Sequence, residues 1–145
     1  MTLDEQRYAL ALAQVERVIR AVEITLLPKA PEIISGVINV RGKVIPVINV
    51  RRRFRLPERA LSISDQIVIS HTSRRAVALI VDEVNGIIEL SGYPVMPAGE
   101  ILPHMEYVEG VVKLKDGLIL IHDLDRFLSL EEEKTLNRAL PGSRK

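Results

Sequence analysis

Apolar positions fall in short runs separated by turn residues, and few runs reach helical length. Arg7-Tyr8-Ala9-Leu10-Ala11-Leu12 reads as an opening strand. In residues 13–20, Val15, Val18 and Ile19 stand three and four apart, which predicts one or two turns of helix. Residues 25–31 follow as a loop, because Pro28 and Pro31 each remove a donor and restrict the preceding residue. Two apolar runs, 36–40 and 44–50, flank Arg41-Gly42-Lys43 and predict a tight hairpin in which Gly42 supplies the positive φ. Pro46 then belongs at an edge or a bulge.

A second hairpin is predicted from 66–71 and 76–84, turning at Thr72-Ser73-Arg74-Arg75, with a short strand at 86–90. Residues 91–103 carry Pro94, Pro97 and Pro103 with Gly92 and Gly99, and read as a surface loop. A third hairpin spans 110–115 and 118–124 around Asp116-Gly117. Ser129 with Glu132 three residues on forms a capping box and starts a helix over 129–140, leaving 141–145 as a frayed tail. Residues 36–50 also lie over 110–124 without a gap: a glycine, an apolar strand, a basic residue before the turn (Arg41, Lys115), then a return strand ending in Asn49 or Asp123. This suggests one hairpin unit used twice, in two similar β-subdomains within residues 1–145.

Composition sharpens the picture. Hydrophobic residues make up 47% of 145, aromatics only 3%. A Val/Ile/Leu interior favours pleated sheet. The absence of cysteine excludes a disulfide framework, a thiol nucleophile and Cys-ligated zinc. Neither a signal-type start nor an apolar run of spanning length is present, so a soluble cytoplasmic protein without membrane insertion is expected. A net charge of +1 gives no global pull towards nucleic acid.

Catalytic signatures are missing: no G-x-S-x-G, no phosphate-binding glycine loop, no H-E-x-x-H. His71, His104 and His122 lack metal-ligand spacing and read as polar residues on solvated or half-buried positions. Asp82 and Glu83, adjacent in a strand, point to opposite faces, and Asp123 and Asp125 read as turn and capping residues. We therefore expect no enzyme, no metal and no cofactor. The run Arg51-Arg52-Arg53-Phe54-Arg55 suggests either an anionic partner or a solvated turn with one buried ring. Two Phe and three Tyr, scattered, are too few for stacking platforms, so no nucleic-acid partner is expected.

The chain resembles the CheW family of chemotaxis coupling proteins. The resemblance rests on Gly36-Val37-Ile38-Asn39-Val40-Arg41-Gly42, continued by Val44-Ile45-Pro46-Val47-Ile48-Asn49-Val50-Arg51. The strand Ala78-Leu79-Ile80-Val81-Asp82-Glu83-Val84 and the closing hairpin around Asp116-Gly117 add to it, so that it spans residues 5–128. It implies an all-β fold with short helices: two small five-stranded SH3-like β-barrel subdomains packed together, with a C-terminal helix. It also implies a non-catalytic adaptor held at receptor arrays on the inner face of the membrane by its partners, the cytoplasmic tip of a chemoreceptor and the regulatory domain of the histidine kinase CheA. The positions matching the receptor surface are Val15, Gly36, Asn39, Arg41 and Ile87, and the neighbourhood assigned to the kinase is Ile24, Thr25, Leu26 and Leu27. Gly42, Pro46 and Asp82 are assigned structural roles, and Gly36 too is read mainly as a backbone requirement.

A helical tip needs a shallow apolar groove with a few polar anchors. Val15 and Ile87 would supply the apolar part, and Arg41 either a contact or an ion pair. Two departures stand out. Glu16 and Arg17 are exchanged relative to the family, which unsettles the usual acid–Arg41 pair. The family's first strand runs into Thr2-Leu3-Asp4, and its shortness here predicts an open edge and a strand-exchanged homodimer. The competing readings are a detached CheA-type regulatory module and a small RNA-binding barrel.

Overall fold

The computed structural model describes residues 1–3, 6–58, 60–87, 92–97, 108–115 and 117–140. The strands are β1 (Thr2–Leu3), β2 (Gln6–Ala9), β3 (Val15–Arg20), β4 (Ile34–Val40), β5 (Lys43–Ile48), β6 (Gln66–His71), β7 (Ala76–Val81), β8 (Val95–Pro97), β9 (Val108–Leu114) and β10 (Gly117–His122). A one-turn helix α1 (Val50–Arg53) follows β5, and α2 (Leu130–Ala139) comes last. The strands form two five-stranded sheets, ordered β1-β2-β10-β9-β8 and β3-β6-β7-β5-β4.

All three predicted hairpins form. In the first, Arg41 (φ 53°) and Gly42 (φ 82°) make the two-residue turn, so the arginine as well as the glycine adopts a left-handed conformation. Asn39 Oδ1 accepts the Gly42 N–H at 2.8 Å and ties the turn to its strand. Pro46 faces Val37, whose N–H and C=O are both bonded to Thr25 instead. The proline nitrogen therefore points away from β4, and the parallel pairing with β7 begins only one residue later, at Val47 opposite Ala78. Pro46 occupies a local edge inside a central strand.

Residues 36–50 and 110–124 prove to be one unit in three dimensions. Gly36 faces Val47 as Gly110 faces Ile121, and Ile38 faces Ile45 as Val112 faces Ile119. Both hairpins slip register at the same place, where Ile34 meets Ile48 and Val108 meets His122. Asn49 then caps α1 through the Arg52 N–H, and Asp123 caps the turn Leu124–Arg126 through the Asp125 N–H.

Five expectations need correction. The sheets are not closed into barrels: β3 and β4 remain the two edges of their sheet, and the β4 edge is instead occupied by the bridge from Thr25 to Val37. Residues 15–20 form β3 rather than a helix, preceded by a single turn at Leu12–Gln14. A bulge at Glu16 places both Val15 (opposite Ser70) and Val18 (opposite Val68) on one sheet face, which imitates helical spacing. Within the expected loop 91–103, Val95–Pro97 pairs with β9 as an edge strand, where prolines are tolerated. His122 is not solvated but 2% exposed, packed at the junction of the sheets. The second hairpin ends at Val81, so Asp82 and Glu83 follow the strand, and residues 88–90, His104, Asp116 and 141–145 lie outside the described residues.

One core joins the sheets. Leu3, Tyr8, Val111 and Leu120 from the first meet Ile48, Val68, Leu79 and Val81 from the second, closed by Leu124, Phe127 and Leu136. The second sheet also curls around a core of its own, formed by Ile38, Ile45, Val47, Ile67, Ile69 and Ala78. Three of the chain's few aromatic rings gather with His122 at the junction: Phe54 stacks on His122 at 4.3 Å, Tyr8 lies 4.8 Å from the imidazole, and Phe127 meets Phe54 edge-on at 5.5 Å. The edge expected to be open is bonded at Thr2, whose N–H donates to Glu83 O at 2.7 Å and whose carbonyl accepts the Asp82 N–H at 2.9 Å.

The exit from α1 offers a stability test. Leu56 N–H reaches Arg51 O at 2.8 Å and Arg55 N–H reaches Arg52 O at 3.1 Å, with Arg55 at φ 60°. This is a Schellman cap whose left-handed position normally carries glycine. Arg55→Gly should raise stability by about 1 kcal/mol through relief of that strain. Urea unfolding would read the gain, and a lower midpoint would show that the Arg55 side chain stabilises the fold.

Candidate functional site

The most concentrated charge in the sequence is consumed internally. Arg51 Nη2 meets Asp82 Oδ1 at 2.8 Å, and Arg51 Nη1 donates to Pro57 O at 2.9 Å. Arg52 pairs with Glu58 at 3.1 Å and, more loosely, with Glu32 at 3.6 Å. The two Arg52 bonds and that from Asn49 hold the Glu58 carboxyl below its ordinary range. Arg53 grips both oxygens of Glu132 at 2.8 Å. Three of the four arginines therefore staple α1 to Asp82 just after β7, to the following loop and to α2. The Asp82 carboxylate holds Arg51, and its backbone N–H donates to Thr2 O in the first strand.

Two groups of the receptor-assigned residues are brought together. Asn39 and Arg41 share the exposed tip of the β4–β5 hairpin. Val15 is half-buried at the start of β3, on the face that also carries Val18. Gln66 faces Arg20 at the other end of that strand pair, and its Oε1 accepts the Val84 N–H at 2.7 Å. That bond leads the segment ending in Ile87 past the same region, further held by Thr2 Oγ1 to Asn85 Oδ1 at 2.6 Å. Ile87 is 78% exposed and Val18 39%. Val15 and Val18 thus share one face of β3, with Val18 exposed, and Ile87 is a separate exposed apolar side chain three residues after Val84. Val18 was not among the receptor-surface residues singled out from the sequence. Its signal is the three-residue spacing from Val15, misleading until the bulge is known.

Gly36, in contrast, is buried and presents nothing outward. A Cβ there would lie 2.4 Å from the Thr25 carbonyl oxygen and 2.7 Å from Ile24 Cγ2. Gly36 is thus the seat of the segment assigned to the kinase. Within that segment Ile24 packs on the second sheet's own core and Leu27 on the shared core. Thr25 bonds Val37 in both directions, and Leu26 stands 80% exposed between these anchors. Glu16, the acid exchanged with Arg17, is engaged by another group: its Oε1 lies 2.7 Å from His71 Nε2. That hydrogen bond holds the Glu16 carboxyl below its usual value.

Among the described residues no cluster of His, Asp and Glu could hold a metal ion, and no helix is long and apolar enough to cross a membrane. A cavity of about 210 Å³ between Ile24, Arg51, Asp65 and Ile80 is smaller than the roughly 300 Å³ at which ligand pockets begin.

Two five-stranded sheets built on one repeated hairpin and sharing one core define a two-subdomain, all-β protein. The comparisons with known proteins are specific about which. The CheW-like domain matches residues 1–132. Chemotaxis protein CheW of Bacillus subtilis is 32% identical over 135 residues, covering 92% of this chain and 86% of that protein. That of Klebsiella aerogenes is 26% identical over 133 residues, covering 90% and 80%. The crystal structure of the scaffolding protein TtCheW from Thermoanaerobacter tengcongensis superposes with a TM-score of 0.81 at 33% identity, covering 90% of each chain. The chain belongs to the CheW-like domain family and is a chemotaxis adaptor of that family.

Proposed function

We propose that this chain couples the helical cytoplasmic tip of a chemoreceptor to the regulatory domain of a CheA-type histidine kinase, in the cytoplasm and without catalysis of its own. The observation that carries the receptor half is exposed apolar surface: Val18 beside the half-buried Val15 on one face of β3, and the highly exposed Ile87. A surface of this kind accepts the apolar face of a helix, and Asn39 and Arg41 at the hairpin tip supply polar anchors. The kinase half rests on residues 24–27, where the exposed Leu26 is presented by three neighbours fixed to β4 and to the two cores. An exposed leucine on a rigid mount forfeits little entropy on binding. Pairing of Arg51, Arg52 and Arg53 with carboxylates removes the basic surface on which an RNA-binding reading would depend.

Capture of a receptor-tip peptide and of a kinase regulatory domain on the immobilised chain tests both halves. Ile87→Asp should weaken receptor capture by about 30-fold, as expected for loss of a central apolar contact of about 2 kcal/mol. Kinase capture and the melting temperature should stay unchanged. Leu26→Asp should show the reverse selectivity. Equal loss of both partners in either variant, or unchanged receptor capture by Ile87→Asp, would remove the assignment.

A further inference from the structure

Of the ten residues of α2 only Glu133 and Leu136 are buried. Beside the burial of Leu136 in the shared core, two ion pairs hold the helix. Arg53, at the end of α1, binds both oxygens of Glu132 at 2.8 Å, with the two side chains 12% and 26% exposed. Arg75, in the last residue of the β6–β7 turn, meets Glu133 at 2.7 Å, with 15% and 8% exposed, and also bonds Asn137. Glu132 does two jobs at once, since its Oε1 also accepts the Ser129 N–H at 2.8 Å and completes the capping box.

We propose that α2 is an electrostatic latch: a helix that opens as a unit from an otherwise intact pair of sheets, with Arg53 and Arg75 as its two catches. The physical reason is the cost of partial opening. Each catch is a largely desolvated pair, and breaking one while the helix stays docked leaves an uncompensated charge. Full release rehydrates all four groups together, so docked and released states are favoured over intermediates. A released ten-residue helix is too short to persist in water, so release is also unfolding of α2, and it bares the seat of Leu136 in the shared core. The sheets keep their own ladders and the second sheet's separate core when this happens.

Acid acts in the same direction as salt. Asp125, two residues before Phe127, accepts the Ser73 N–H at 2.6 Å in the same β6–β7 turn that carries Arg75. Burial pushes the Glu132 carboxyl up, but the Ser129 N–H and the Arg53 guanidinium outweigh it and hold it below its ordinary value. A carboxylate depressed in the docked state contributes stability above its unfolded pKa, and that contribution is lost as pH falls through the docked value.

Native-state hydrogen exchange on the full chain tests the proposal. At neutral pH and low salt, α2 amides should exchange through an opening that leaves β5, β6 and β7 protected. In 1 M sodium chloride, where screening reaches about 3 Å, α2 exchange should rise while exchange in those strands does not. Arg53→Gln should speed α2 exchange at least tenfold at low salt, again sparing the strands. The latch is overturned if α2 amides exchange only with the strands, or if their rate is indifferent to salt. The wild-type salt series decides the question even if the variant fails to fold.

Discussion

Gly36→Ala should destabilise the protein by about 3–5 kcal/mol, the combined effect of backbone strain and a steric clash that cannot relax. The residue adopts φ +154°, and the new methyl would sit 2.4 Å from the Thr25 carbonyl oxygen. That oxygen is itself fixed, because it accepts the Val37 N–H at 2.8 Å while Thr25 N–H bonds Val37 O at 2.9 Å. Domains of this kind are stable by only about 5–15 kcal/mol, so the variant would stand near its unfolding threshold. Urea unfolding measures the loss. The repeat supplies an internal control, since at the equivalent Gly110 the methyl would meet Val95 Cγ1 at 2.5 Å, the far end of a side chain that can rotate, with the next atom at 3.3 Å. Gly110→Ala should therefore cost clearly less. Equal losses at the two sites would mean that the rigid Thr25 backbone is not the cause.

Phe127→Ala should cost a similar amount, about 3–5 kcal/mol, for a different reason. Phe127 is fully buried and stands edge-on to Phe54 at 5.5 Å and to His122 at 5.6 Å. Truncation leaves a void where both sheets and the approach to α2 converge, and rings on either side cannot collapse into it without losing their own stacking. Phe127→Leu keeps most of the volume and should lose less than half as much. Thermal unfolding separates the two variants, and a small effect of the alanine would show that the junction repacks.

The particular residues explain how much of this was legible in the sequence. Hairpins were readable because their turns depend on local chemistry, such as Gly42 and Asn39 around the first. The capping box of α2 was readable for the same reason, since Ser129 and Glu132 need only each other. The β3 strand was not, because a one-residue bulge converts alternation into a helix-like spacing. Nor was β8, hidden under two prolines that an edge position tolerates. The arginine run was misleading for a reason of distance: its partners Asp82 and Glu132 lie 31 and 79 residues away. His122 carried no local sign that Tyr8, Phe54 and Phe127 would surround it. Of the residues on the proposed receptor surface, Ile87 and Val15 came from family resemblance, while Val18 required the register of β3 on β6. Gly36, read mainly as a backbone requirement, lies against Ile24 and Thr25 of the neighbouring segment.

The order of strands has a consequence for how the polypeptide acquires its shape as it emerges from the ribosome. Every strand of the second sheet lies between Val15 and Val81, so that sheet can assemble as soon as the first half of the chain is available. The first sheet cannot, because β2 waits for β10, and Gln6 reaches the carbonyl of Leu118 across 112 residues of sequence. Until β10 is made, β2 has no strand beside it other than β1, and only the packing of Leu3 and Tyr8 on the second sheet and the Thr2 bonds to Asp82 and Glu83 hold the N-terminal strands in place.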